Sequence, residues 1–176
     1  MKPRIHRTAA GFGLVVVLAF SAGCSQSSPE EKLVERAFDA IRQGDWDSFY
    51  GTTITSADIM MQQNEIGPFQ AQQSYLGSSV RPRERDSQRA QFDRAQQSGV
   101  AGANLRVARF VALGSDVRRF HYELLTGGSV PVTSYSLQVD VDGNVVEVSE
   151  PRFVVVEWQE RPRLLALDFT SDTLSR

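Results

Sequence analysis

The chain holds a single cysteine, Cys24, among 176 residues. No disulfide can close within it, so burial and hydrogen bonding alone must hold the fold. Histidine is nearly as scarce: His6 and His121 are the only two. With only two histidines, a three-histidine zinc centre cannot be assembled. No Gly-x-Ser-x-Gly elbow offers a serine nucleophile to His121. The longest apolar stretch, Ala9 to Phe20, falls well short of the roughly twenty residues a membrane-crossing helix needs. An excess of basic charge is also missing, with 19 lysines and arginines against 21 acids. That balance argues against nucleic acid as a partner.

What the first segment does contain is the three-part layout of an export signal. Lys2, Arg4 and Arg7 come without an acid, the apolar stretch follows, and small residues close it at Ser21-Ala22-Gly23-Cys24. Those last four residues resemble the lipobox of bacterial lipoproteins, although leucine usually stands where Ser21 is. The resemblance implies cleavage after Gly23 and attachment of lipid to the Cys24 thiol, with the bilayer as the partner of the acylated cysteine. Several acyl chains at about 0.8 kcal/mol per buried CH₂ make such an anchor effectively permanent. Ser25 replaces the aspartate that resembles an inner-membrane retention signal, so a two-membrane host would carry the protein on its outer membrane. Residues 1–23 are thus read as a lipoprotein signal peptide, 24–28 as a tether and 29–176 as one domain of the cell envelope. From Ser25 to Ser28 the tether reaches at most about 14 Å.

Removal of Lys2, Arg4 and Arg7 from the 19 basic residues leaves 16 against 21 acids, a net charge of −5. Such a balance speaks against an electrostatic membrane patch. The remaining chain is long enough to bury a core without staples. Its first half is polar and helical, and its second half is apolar and strand-like. Strands that arrive consecutively with short turns pair antiparallel, which gives an α+β fold.

Ser28-Pro29-Glu30-Glu31 carries a capping serine, a proline at the first helical position and a glutamate at the third. Leu33, Val34, Ala37, Phe38 and Ile41 follow on one stripe, and Gly44 supplies the stop. Asp45 is placed to cap a second short helix with Trp46, Phe49 and Tyr50 on one side, and Ser56 a third through Ile59, Met60 and Met61. Pro82 opens a fourth helix to about Gln97, whose only large apolar residue is Phe92. A helix so poor in apolar contacts is expected to be loosely held, its arginines forming a solvated face, and proteolysis to begin between Gly77 and Ala103.

Strands are expected from Leu105. Val107, Val111 and Leu113 share one face of the first, Phe120, Tyr122 and Leu124 one face of the next, with a turn centred on Ser115-Asp116 between them. Gly127-Gly128 marks a further turn, and Tyr135, Leu137, Val139 and Val141 alternate along another strand. Asp142-Gly143 is the strongest hairpin signal, pairing Val139 with Val146 and Leu137 with Val148. The pair Asp140 and Asp142 lacks the other ligands of a calcium loop. Pro151 is expected to end that strand, Phe153 to Trp158 to form another, and Leu164 to Phe169 to return after a turn around Arg161-Pro162. Five or six antiparallel strands result, with N-terminal amphipathic helices packed on them.

The stretch from Leu33 to Asp47, an amphipathic helix ending at Gly44-Asp45, resembles the opening of the nuclear transport factor two-like, or SnoaL-like, superfamily. That resemblance implies a strongly curved, cone-like sheet enclosing a cavity, on a fold that hosts isomerases, dehydratases and many binding domains. In the expected register Arg109 lies opposite Tyr122 on an apolar face, with Tyr135 also inward. These three are the candidate pocket-binding residues, against the simpler reading of Arg109 as a rim arginine held by a carboxylate. His121 falls with Arg119 and Glu123 on the other face. The favoured function is a non-catalytic, envelope-anchored domain that binds a small ligand or an envelope protein, needing no cofactor or metal. A structural or assembly factor and a small isomerase-like or dehydratase-like pocket enzyme are the alternatives.

Overall fold

The structure, a computed structural model, describes residues 27–62, 80–98, 107–124 and 128–169. The export segment, Cys24 and Leu105 lie outside these residues. Among the described residues the helices α1 (Pro29–Gln43), α2 (Trp46–Thr52), α3 (Ser56–Gln62) and α4 (Val80–Ser98) precede the strands β1 (Arg109–Glu123), β2 (Ser129–Val141), β3 (Asn144–Trp158) and β4 (Arg161–Asp168). The strands form one antiparallel sheet in the order β1-β2-β3-β4, so the fold is α+β. No helix among the described residues is long and apolar enough to cross a membrane.

Local chemistry accounts for α1 and α2. The Ser28 hydroxyl accepts the Glu31 N–H at 3.1 Å, Pro29 opens the helix, and Gly44 leaves it at φ 75°, where a side chain would be strained. Leu33, Val34, Ala37, Phe38 and Ile41 are all buried, the four larger ones each contributing about 1.5–3 kcal/mol before the entropy of ordering is set against it. Asp45 accepts the Ser48 N–H at 3.0 Å and so starts α2. The cap of α3 is one residue earlier than expected. Thr55 and Asp58 hydrogen-bond reciprocally, with Asp58 N–H on Thr55 Oγ1 at 3.1 Å and Thr55 N–H on Asp58 Oδ2 at 3.2 Å. Ser56 is therefore the first helical residue, and its N–H is left for another partner.

The sheet differs from expectation in being built of fewer, longer strands. No turn occurs at Ser115-Asp116; β1 runs straight through, and the extra residues there are absorbed as an irregularity between Leu113 and Val117. Likewise β3 passes through Pro151, with a register shift opposite Tyr135 and Leu137. Bulges add local bend without ending a strand. The last turn is Gln159-Glu160, both at positive φ, and Pro162 lies inside β4. Four strands among the described residues thus replace the expected five or six. The Asp142-Gly143 hairpin is as expected, with Val139 opposite Val146 and Leu137 opposite Val148. Val107 and Val111, placed inward by the missing hairpin, are exposed.

Two clusters of buried side chains lie on opposite faces of β3. Phe153 and Val155 join α1, Phe49 and Phe92 in one; Val154 and Val156 join Ile54, Ile59 and Met60 in the other. Residues 151–156 are accordingly buried without alternation.

Candidate functional site

The α2–α3 connection, α4 and β4 are stitched together by polar side chains, and a cleft opens where they meet β1. Ile54 N–H bonds to Leu164 O at 2.8 Å, laying the connection along the free edge of β4. Gln88 of α4 then accepts the Thr53 hydroxyl and donates to Ile54 O, both at 3.2 Å. Gln91 accepts the Leu167 N–H at 2.7 Å, and Gln96 donates to Ile41 O at 3.0 Å at the end of α1. Glu84 accepts the N–H groups of Ser56 and Ala57, each at 3.1 Å, and completes the start of α3 from across the cleft.

These contacts correct the expectation of a loosely held α4. Glu84, Gln88 and Ala95, all buried, and the half-buried Gln91 recur at helical spacing beside Phe92, a stripe in which amides and a carboxylate replace the usual aliphatic residues. A search for apolar periodicity passes over such a stripe. The arginines are not merely solvated either. Arg85 lies 5.1 Å over the Tyr50 ring, Arg89 5.1 Å over Trp46, and Arg94 4.3 Å over Phe169, while Arg89 also pairs with Asp93.

The cleft has a volume of about 470 Å³. Ile54, Leu165 and Ala166 give it an apolar floor, and Ser56, Glu84 and Tyr122 are its inner polar groups, with Arg83 at the rim. The Ser56 hydroxyl is 3% exposed in its residue and has no hydrogen-bond partner among the described residues. A buried hydroxyl left in this state is uncommon and offers a donor and an acceptor to whatever enters. Burial pushes the Glu84 carboxyl up from its usual value, against the pull of the two backbone amides. Tyr122 is pushed up by burial and then by the charge of Glu84.

Of the three residues expected to form a pocket, only Tyr122 reaches this cleft. Arg109 stands at the opposite end of β1, its side chain 74% exposed and paired with Asp140 at 2.6 Å. The hairpin that was to set it opposite Tyr122 does not exist, because β1 is continuous from Arg109 to Glu123. Asp140 uses its second oxygen on the Gly143 N–H at 2.8 Å. Tyr135 sits opposite Val117 and Phe153 and packs, half-buried, against the first cluster. His121, with Arg119 and Glu123, lies on the exposed side of β1. Ser56, Glu84 and Gln88 were missed as site residues because their neighbours are distant in sequence.

Among the described residues, no three of histidine, cysteine, aspartate and glutamate gather closely enough to hold a metal ion. Comparison with protein families, curated proteins and solved structures finds no match to this chain.

Proposed function

We propose that this protein is a lipid-anchored lipoprotein of the cell envelope whose α+β domain binds a small ligand in the α3–α4–β1 cleft without catalysing a reaction on it. The observation that carries the binding reading is the buried hydroxyl of Ser56, without a hydrogen-bond partner among the described residues, within an apolar-floored cleft of about 470 Å³. A non-catalytic role is favoured because the one carboxylate that lines the cleft among the described residues, Glu84, is held by two backbone amides that would have to be released before it moved a proton. The anchor rests on Ser21-Ala22-Gly23-Cys24 and the segment before it, and Ser25 favours the outer membrane where two membranes exist. A nuclear transport factor two-like domain with a cone-like sheet is the finer reading of the fold. Its support is the helix that ends at Gly44-Asp45 and the bulges that bend β1 and β3.

Two measurements test this reading. Radiolabelled palmitate is expected in the wild type and absent from Cys24→Ala, which accumulates as precursor; label persisting in the variant refutes the anchor. Native mass spectrometry of the mature protein purified from its own membranes is expected to show a small-molecule adduct that Tyr122→Ala loses. Bare protein in every preparation refutes the binding reading.

A further inference from the structure

Four cations from two distant parts of the chain converge on one groove. Lys32 and Arg36 stand one turn apart on the exposed side of α1, and Arg161 and Arg163 open β4 more than a hundred residues later. Together with Pro29 they line a depression of about 350 Å³ between the start of α1 and the β3–β4 turn, and no carboxylate among the described residues lines it. None of the four forms an ion pair among the described residues. Arg163 donates to Thr53 O at 2.6 Å and Arg36 to Lys32 O at 3.3 Å, so two guanidinium groups are positioned by backbone carbonyls, which leave their charge uncompensated. The acids of the first turn, Glu30 and Glu31, flank the groove without lining it. A net charge of −5 for the mature chain conceals this cluster.

Its position gives the cluster a partner. Pro29 lines the groove and is also where the folded domain meets the tether, five residues after Cys24. At full extension those five residues span no more than about 18 Å, so lipid on Cys24 holds the groove within reach of phosphate headgroups. We infer that the Lys32–Arg36–Arg161–Arg163 groove is a docking surface for anionic lipid headgroups of the membrane that carries the anchor. This inference rests on the lipoprotein reading. Each basic residue near an anionic surface favours contact about fivefold, and the effect fades within a Debye length. Docking therefore sets the orientation of the domain, with the β3–β4 turn toward the bilayer and the Asp142-Gly143 turn, at the far end of β3, away from it.

Lipid on Cys24 leaves no free thiol, so one introduced cysteine can be labelled alone. The test uses mature lipidated protein carrying a fluorophore at Glu160→Cys or, as control, at Asn144→Cys. It is reconstituted on vesicles of phosphatidylcholine, with or without phosphatidylglycerol, that contain an acceptor lipid. Energy transfer from position 160 is expected to rise on the anionic vesicles and to fall back in about 1 M salt, where the Debye length is about 3 Å. Transfer from position 144 is expected to stay low. Lys32→Glu with Arg36→Glu, and separately Arg161→Glu, should each return position 160 to its value on neutral vesicles; both sets are exposed and leave the core untouched. Equal transfer on the two vesicle types, or a rise that survives both sets of substitutions, overturns the inference while the anchor stands. Loss of the rise to inorganic phosphate at constant ionic strength also overturns it, in favour of a discrete anion site. Protein that floats with neither vesicle refutes the anchor itself.

Discussion

Arg152 of β3, 1% exposed, donates from Nη1 to Oδ2 of Asp116 on β1 at 2.6 Å. The same guanidinium donates to Asp116 O at 2.8 Å and to Ser134 Oγ and O at 2.8 and 3.0 Å, so its charge is buried with partners on two strands. Asp116 keeps a second cation in Arg118 at 3.0 Å. Removing the acid strands a buried charge, whereas removing the arginine leaves a half-exposed acid that is still paired with Arg118. Arg152→Met leaves the buried Ser134 hydroxyl and carbonyl without these bonds and is expected to cost about 1–3 kcal/mol in urea denaturation. Asp116→Ala should cost more than that, and the reverse order would refute this account of the bulge.

Gly114 lies in that bulge, close against Ser136 of β2 and Glu147 of β3. A Cβ there would collide with Ser136 Oγ and lie 2.8 Å from Glu147 Oε1 and 2.9 Å from the Ser136 carbonyl carbon. Because one of these neighbours is backbone, the contact cannot be relieved by a rotamer change. Gly114→Ala is expected to lose about 1–3 kcal/mol, seen as a melting temperature lower by several degrees. Adding Ser136→Gly should restore part of the loss.

Glu147 accepts the N–H groups of Ser115 and Asp116 at 3.0 and 3.2 Å and the Ser136 hydroxyl at 2.8 Å. Hydrogen bonds from Ser136 and Ser115 hold its carboxyl below the usual value, and the Arg118 hydrogen bond, opposed by desolvation and aided by Arg152, does the same for Asp116. Folded-state values below the unfolded ones mean stability that is present above about pH 4.5 and lost as pH falls through the folded values. Acid titration followed by near-ultraviolet circular dichroism should show this loss, and Glu147→Gln should reduce it.

Glu84 works in the opposite sense. Desolvation raises its folded-state value above 4.5, so its contribution is full below that pH and declines as pH rises through the folded value. Chemical denaturation at a series of pH values from 4.5 upward should show Glu84→Gln flattening the decline seen in wild type. An unchanged slope would mean that the carboxylate is better solvated than its place in the cleft implies.

Gln88 joins α4 to the α2–α3 connection through its side-chain amide. Gln88→Leu leaves the buried Ile54 carbonyl and Thr53 hydroxyl without these bonds and is expected to cost about 1–3 kcal/mol. Limited proteolysis should then cut within α4 sooner than in wild type.

Features governed by neighbours close in the chain were legible in the sequence. Ser28, Pro29 and Gly44 bound α1 through contacts no more than a few residues long, and Asp142-Gly143 sets the β2–β3 turn by its own backbone preferences. The buried stripe of α1 follows from helical geometry alone. Contacts across long separations decided the rest. Ser115-Asp116 has the composition of a turn, yet Glu147 and Arg152, more than thirty residues away, hold the chain extended through it and keep β1 whole. Glu84 and Gln88 look like surface residues of a polar helix until Ser56 and Ile54 are folded against them. Lys32 and Arg36 look like ordinary exposed charges until β4 brings Arg161 and Arg163 alongside. A hydrogen bond or a charge reads only its spatial neighbours, so the sequence by itself determined the ends of α1, the Asp45 cap of α2 and one hairpin, and the tertiary structure alone decided the strand count, the cleft and the basic groove.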